Sequence, residues 1–499
     1  MLSLGQLLIF GLLVNIGSLV KSSDNCTLRP RGSTKFPKNF SLGVATSAYQ
    51  IEGGWNADGK GPSIWDEFTH ENPDRIKDRS NGDSAANSYQ LFDLDLKALK
   101  ELKVDHYRFS IARTRIFPNG DVSSRNQKGI DYYNTVIDKL LANGIEPMVT
   151  MYHWDLPAEI QKLGGFTNSV IINYFIAYAE ELIINFGDRV KTWITFNEPM
   201  QTCKPGYGEG GSAPGIKSPG VGDYICFNNI LKAHAATYHL YRSKYFEKQG
   251  GRMGITLDTF FGVSKTNNEA DVDRALQYLL GILAHPIYSK TGGYPEIMVK
   301  DIAKNSQAEG RKVSRLPDFN EYWKATIRGT FDFLGLNFYT SKYVERPSEP
   351  LGENPSMLRD YDIEETADPK WLKAKSNWLY CYPLGLEGLL KFVREEYDNV
   401  EVKITENGWS DEGELDDNNR ILYYKSHLQA VLNAIHDGSN ITSYSAWSLV
   451  DNFEWSKGYT EKFGLYSVNM KSPKRERVAK KSAIYYRKVI ETRSIPDEF

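Results

Sequence analysis

One unit recurs eight times along this chain: a short apolar run with strand character, a polar residue at its end, and an amphipathic helical stretch. The runs fall at residues 41–47, 104–111, 145–152, 190–196, 253–258, 333–339, 402–405 and 444–449. Helical stretches between them include 93–102, 132–141, 170–186 and 419–435. Strands alternating with helices build a parallel sheet covered by those helices. Eight of them predict a closed (β/α)8 TIM barrel rather than a doubly wound open sheet. The 499 residues exceed the about 250 of an ordinary barrel. The surplus is expected in long βα loops, notably 201–223 and 340–377. No low-complexity linker and no fixed-period repeat interrupts the pattern, so residues 23–499 read as one domain.

In such barrels chemistry sits at the C-terminal ends of the strands. Those ends carry Gln50, Arg108, His153 with Trp154, Asn197 with Glu198, Asn337 with Tyr339, Glu406 with Asn407, and Trp447 followed by Glu454 and Trp455. Glu198 and Glu406 terminate the fourth and seventh strands. Strand ends ring one mouth, so these two carboxylates can converge on one pocket. A glycosidic bond needs a proton donor on its leaving oxygen and a second carboxylate across the anomeric carbon. The pair can supply both.

Composition fits this reading. Lys plus Arg is 60 against 63 Asp plus Glu, a net charge of -3, which argues against binding nucleic acid through bulk electrostatics. The 10 Trp, 30 Tyr and 23 Phe offer flat apolar faces with polar edges, suited to core packing and to sugar rings.

Residues 7–20 form an apolar stretch too short and interrupted to span a bilayer. Val20 and Ser22 suit the small-residue positions before a cleavage site, so residues 1–22 are expected to be a signal peptide and the protein to be secreted, with no membrane association afterwards. Three glycosylation triplets follow, at Asn25, Asn39 and Asn440. Four cysteines, Cys26, Cys203, Cys226 and Cys381, allow three pairings. Cys203 and Cys226 bracket one Gly/Pro-rich loop and are the favoured bridge in an oxidising compartment.

The segments Thr195-Phe196-Asn197-Glu198-Pro199 and Ile404-Thr405-Glu406-Asn407-Gly408 resemble the two signature segments of glycoside hydrolase family 1, the retaining β-glucosidases and their relatives. The resemblance runs from about Phe36 to Arg487. It includes the stretches around Gln50, Arg108, His153 and Trp447-to-Trp455. It implies that Glu198 is the general acid/base and Glu406 the nucleophile, in a double displacement. It also implies that Arg108 and Tyr339 support Glu406, that Gln50, His153, Asn197, Glu454 and Trp455 hold sugar hydroxyls, and that Trp447 lies under the ring. Glu198 is expected to be protonated first, raised by burial and by the nearby charge of Glu406, and to release its proton once Glu406 is esterified.

Departures from the family pattern concern the other half of the substrate. Arg113 stands where relatives usually have Trp, and Phe338 where they usually have His. Both are expected to reshape the pocket wall. Trp378 resembles the family's aglycone platform. Lys204, six residues after Glu198, together with Lys342 and Arg346, resembles the spacing of insect-type thioglucosidases, which hold an aglycone sulfate with basic loop residues. The expected substrate is therefore a small-molecule β-glucoside, leaning to a glucosinolate. A general O-β-glucosidase is the alternative, and a non-catalytic glycan- or receptor-binding barrel a more distant one.

Other signals lead nowhere. Gly206 to Gly211 matches G-x-G-x-x-G but opens no helix after a strand, so no dinucleotide site is expected. His234 and His239 lack the spacing of a metal site. No metal or cofactor is called for. The basic stretch 471–481 reads as a solvated turn and helix start. Oligomeric state is open.

Overall fold

The computed structural model describes residues 26–496. The proposed leader and Asn25 lie outside them. Eight parallel strands close into a barrel in chain order: β1 (Ser41–Ala45), β2 (His106–Ser110), β3 (Glu146–Tyr152), β4 (Thr192–Asn197), β5 (Arg252–Asp258), β6 (Leu334–Asn337), β7 (Val402–Asn407) and β8 (Ile441–Trp447), the last pairing with β1 from Ser41↔Ser443 to Ala45↔Trp447. This is the (β/α)8 fold that the alternation predicts. Every expected run overlaps one of these strands.

Helices follow the strands: α1 (Ser88–Leu102), α2 (Gln127–Ala142), α3 (Ile171–Phe186), α4 (Gly222–Lys244), α5 (Ile282–Tyr288), α6 (Pro383–Glu396), α7 (Asn418–His436) and α8 (Lys481–Thr492). Each turns an apolar face onto the sheet. In α3, for example, Phe175, Tyr178, Ala179, Leu182 and Phe186 are buried at three- and four-residue spacing. Inside the barrel, Met148, Ile194 and Phe333 form a small apolar plug. Above it the lining turns polar. No helix among the described residues is long and apolar enough to cross a membrane.

The long loops are more structured than expected. Residues 201–223 start inside a short helix, Pro199–Cys203, which runs into a π turn at Lys204–Gly208. Pro199 at the first helical position needs no amide donor, which suits it there. In 340–377, strands Ser341–Glu345 and Glu364–Thr366 join Phe261–Ser264 in a small sheet beside the mouth.

Two disulfides hold these excursions. Cys203–Cys226 forms as favoured, and Cys26–Cys381 ties the start of the described chain to the segment before α6. Asn39 and Asn440, both exposed, precede β1 and β8 and so lie on the barrel floor, opposite the mouth.

The stretch 471–481 is not simply solvated. The Arg477 guanidinium donates to Asp95 at 2.9 Å, and Lys480, fully buried, lies 3.0 Å from Asp451. Buried cations require such partners, and both partners are remote in sequence.

Candidate active site

Alternation along a strand sends neighbouring side chains to opposite faces. At the ends of β4 and β7 that rule is broken, to chemical effect. The β7–β6 register shifts between Ile404 and Glu406, and the β4–β5 register between Ile194 and Asn197. Such irregularities re-aim side chains. Thr405 and Glu406 therefore both reach inward. The Thr405 hydroxyl donates to Asn337 Oδ1 at 2.7 Å, and Glu406 accepts from Arg108 and Tyr339. Asn197 and Glu198 likewise share one interior. Glu198 has a left-handed backbone, φ 46°, a conformation that non-glycine residues adopt at a cost of about 1–3 kcal/mol. Trp154 and Trp455, at φ 75° and 47°, share that feature.

The two carboxylates line one cavity of about 520 Å³ at the barrel mouth. Glu406 is held at both oxygens: Arg108 Nη1 lies 2.5 Å from Oε1, and the Tyr339 hydroxyl donates to Oε2 at 2.7 Å. Arg108 also donates through Nη2 to Asn197 Oδ1 at 2.6 Å, and Asn197 Nδ2 donates to His153 Nε2 at 3.1 Å. The Asn337 amide donates to Glu198 Oε1 at 2.7 Å. One hydrogen-bonded layer thus connects β2, β3, β4, β6 and β7.

Burial lifts the Glu198 carboxyl well above the usual range, reinforced by the negative charges of Asp258 and Glu406 and opposed by the Asn337 bond and the Arg108 charge. Burial thus favours the neutral form of this carboxyl, the form that can donate a proton. Burial, with Arg108 nearby, keeps His153 neutral far below its ordinary pKa. With Nε2 accepting from Asn197, its buried Nδ1, which has no partner, is the ring's free donor. Glu454 is pushed up to about 8 by burial and by the charges of Glu461 and Glu406, against the Gln50 hydrogen bond.

Gln50 lies buried behind Glu454. Its Nε2 donates to Glu454 Oε2 at 3.4 Å and to the Phe453 carbonyl at 2.9 Å, while Ser47 donates to its Oε1 at 2.6 Å. His153, Trp447 and Trp455 line the cavity, with His153 stacked 5.9 Å from Trp447 and 6.1 Å from Trp455. Trp378, 38% exposed, stands at the rim with its ring edge-on to Tyr339 at 5.7 Å.

The basic loop residues do not form the expected cluster. Arg346 is absent from the cavity wall and pairs with Asp362 at 2.6 Å. Lys342 lines the cavity but pairs with Glu365 at 2.6 Å. Lys204 lines it too, 3.7 Å from Glu209. Acidic partners brought in by the fold offset the charge that sequence spacing seemed to offer.

Arg113 and Phe338 do not reshape the wall either. Arg113 is buried 5.2 Å from the Tyr178 ring and donates to the Tyr174 carbonyl at 2.9 Å. Phe338 is buried against His427.

The fifth strand end, passed over in the sequence reading, supplies a third carboxylate. Asp258 lines the cavity and accepts from Gln201 Nε2 at 2.8 Å through Oδ2. Gln201 also lines the cavity. The strand-end rule itself would have found Asp258, since it closes the fifth apolar run.

A carboxyl raised by burial, a second carboxylate clamped by Arg and Tyr, and aromatic rings in the wall of one barrel mouth fit a glycoside hydrolase. The model of glycosyl hydrolase family 1 matches residues 32–495, and the chain belongs to that family. Human lactase/phlorizin hydrolase is 44% identical over 93% of this chain, which spans about a quarter (24%) of that relative's length. The human cytosolic beta-glucosidase is 42% identical, with 91% of this chain and 98% of the relative covered. Among solved structures, aphid myrosinase superposes with a TM-score of 0.88 at 42% identity, covering 92% of this chain and 99% of its own.

Proposed function

We propose that this chain is a secreted, retaining β-glucosidase that hydrolyses small-molecule β-glucosides. Glu406 attacks the anomeric carbon while Glu198 protonates the leaving oxygen. The glucosyl ester is then cleaved by water that Glu198 deprotonates. The observation that carries this reading is the asymmetry of the pair: Glu406 is clamped by Arg108 and Tyr339, whereas Glu198 accepts only the neutral Asn337 amide. That environment separates nucleophile from acid. Esterification of Glu406 removes one of the charges that raise Glu198, which frees its proton for the second step. Gln50, His153, Asn197, Glu454 and Trp455 would meet the sugar hydroxyls, and Trp447 its C–H face. Trp378 would meet the aglycone. The two disulfides support an extracellular site of action, and the exposed Asn39 and Asn440 support glycosylation there.

A mechanism-based test is incubation with 2-deoxy-2-fluoro-β-glucosyl fluoride followed by peptide mass spectrometry. A single label is expected on Glu406. Folded protein that takes no label would sink the retaining mechanism and favour a binding barrel.

Glucosinolate hydrolysis is the second reading. Lys204 on the cavity wall and the likeness to aphid myrosinase favour it, and sulfate would replace Glu209 as the partner of Lys204. Lys204→Ala should then lower glucosinolate turnover by about tenfold and leave aryl β-glucoside turnover unchanged, as loss of one charge-assisted contact predicts. Equal effects on both substrates would exclude this reading.

A further inference from the structure

Asp258 has a placement that the two-carboxylate mechanism does not use. In the closed ring of eight strands, β5 is four strands from β1 in either direction, so Asp258 faces the mouth from the side opposite Gln50. Residues two apart on a strand share a face. Thr256 points into the barrel, its hydroxyl 3.2 Å from that of Thr405. Asp258 follows on the same face, one layer nearer the mouth. The Thr256 carbonyl accepts the Glu198 amide, which sets Asp258 beside the acid. A group beyond the acid and across from the glycone side meets the leaving group. Asp258 is part-buried on the cavity wall, where its Oδ2 accepts from Gln201 alone among side chains, so that oxygen keeps a second lone pair for a ligand.

We propose that Asp258 selects the leaving group by accepting a hydrogen bond from an aglycone hydroxyl, so that the preferred substrates are β-glucosides of hydroxylated aglycones such as a second sugar. This rests on the β-glucosidase reading above. The titratable groups facing Asp258 are Glu198 just past β4, Glu406 on β7 and Lys204 in the loop after β4. Lys204 is itself near Glu209. An aglycone hydroxyl is a donor that Asp258 Oδ2 can accept beside Gln201. An aglycone sulfate would set its charge against the carboxylates of Glu406 and Asp258.

The test compares cellobiose with phenyl β-glucoside, whose aglycone has no donor, on the full-length protein and its Asp258→Ala and Asp258→Asn variants. Asp258→Ala should lower kcat/KM for cellobiose by at least about tenfold and for phenyl β-glucoside by less than threefold at pH 7, where Asp258, raised to about 6, is ionised. In Asp258→Asn, loss of a charge beside Glu198 should move the basic limb of the phenyl β-glucoside profile to lower pH. That shift would not follow from a structural role alone. Equal losses on both substrates, or an unmoved limb, overturn the proposal, as does faster turnover of 2-propenyl glucosinolate than of cellobiose by the unaltered enzyme. If the unaltered enzyme takes no fluoroglucoside label, the glucosidase reading itself has failed. Labelling with unchanged substrate discrimination isolates the failure to Asp258.

Discussion

Arg108 and Glu406 meet at 2.5 Å with neither side chain open to solvent beyond a few per cent. A buried pair of this kind adds little net stability against an apolar replacement, but removing one partner strands the other charge, at about 3–5 kcal/mol. Arg108→Met should therefore lower Tm and reduce kcat by about a hundredfold or more, because the carboxylate loses its clamp and Asn197 loses a donor. Differential scanning calorimetry and steady-state kinetics on the same preparation would show both effects. Full activity in the variant would remove Arg108 from the mechanism.

Glu198→Gln keeps the Asn337 contact plausible in shape but cannot give a proton. Turnover of phenyl β-glucoside should fall by about 10²–10⁴-fold. With 2,4-dinitrophenyl β-glucoside, whose leaving group needs little acid, the first step should survive while deglycosylation slows. Rapid mixing should then reveal a burst of dinitrophenol equal to the enzyme concentration. A linear trace with no burst would contradict the assigned order of steps.

Glu454 offers a pH test independent of turnover. An unfolded Glu titrates near 4.3, whereas folding holds this one up to about 8. The folded form thus favours the neutral acid. Its contribution is fully present below the unfolded value and is lost as pH climbs through about 8. Glu454→Gln cannot ionise, so its Tm relative to the unaltered enzyme should rise by roughly a few degrees between pH 5 and 9. A pH-independent difference in Tm would show that Glu454 ionises normally.

The Cys203–Cys226 bridge spans a separation of 23 residues and ends one residue before Lys204 on the cavity wall. Replacing both cysteines by serine should cost about 3 kcal/mol through a looser unfolded chain and raise KM for substrates with large aglycones more than for methyl β-glucoside. Thermal melts and a KM comparison would check this. Unchanged KM values would mean that the π turn holds its shape unaided.

The barrel was legible in the sequence because strand and helix periods alternate along the whole chain, and the closed order of β1 to β8 follows chain order. Helix ends were less so. The first expected helix starts at 93, yet α1 begins at Ser88, after a left-handed Asn87 that no periodicity reveals. The site was legible wherever a polar residue closed an apolar run, as at Glu198 and Glu406. What escaped depended on tertiary pairing. Glu365 and Asp362, which neutralise Lys342 and Arg346, come from a strand and a turn whose pairing no local pattern announces. The bulges that turn Thr405 and Glu406 to the same side are equally silent, since they arise from register between strands rather than from residue type.

Asn39 and Asn440 stand before neighbouring strands on the face away from the mouth. Anything attached there, whether a natural glycan or a chemical tether, occupies one quadrant of the floor. An enzyme immobilised through either position would be held with its entrance turned away from the support.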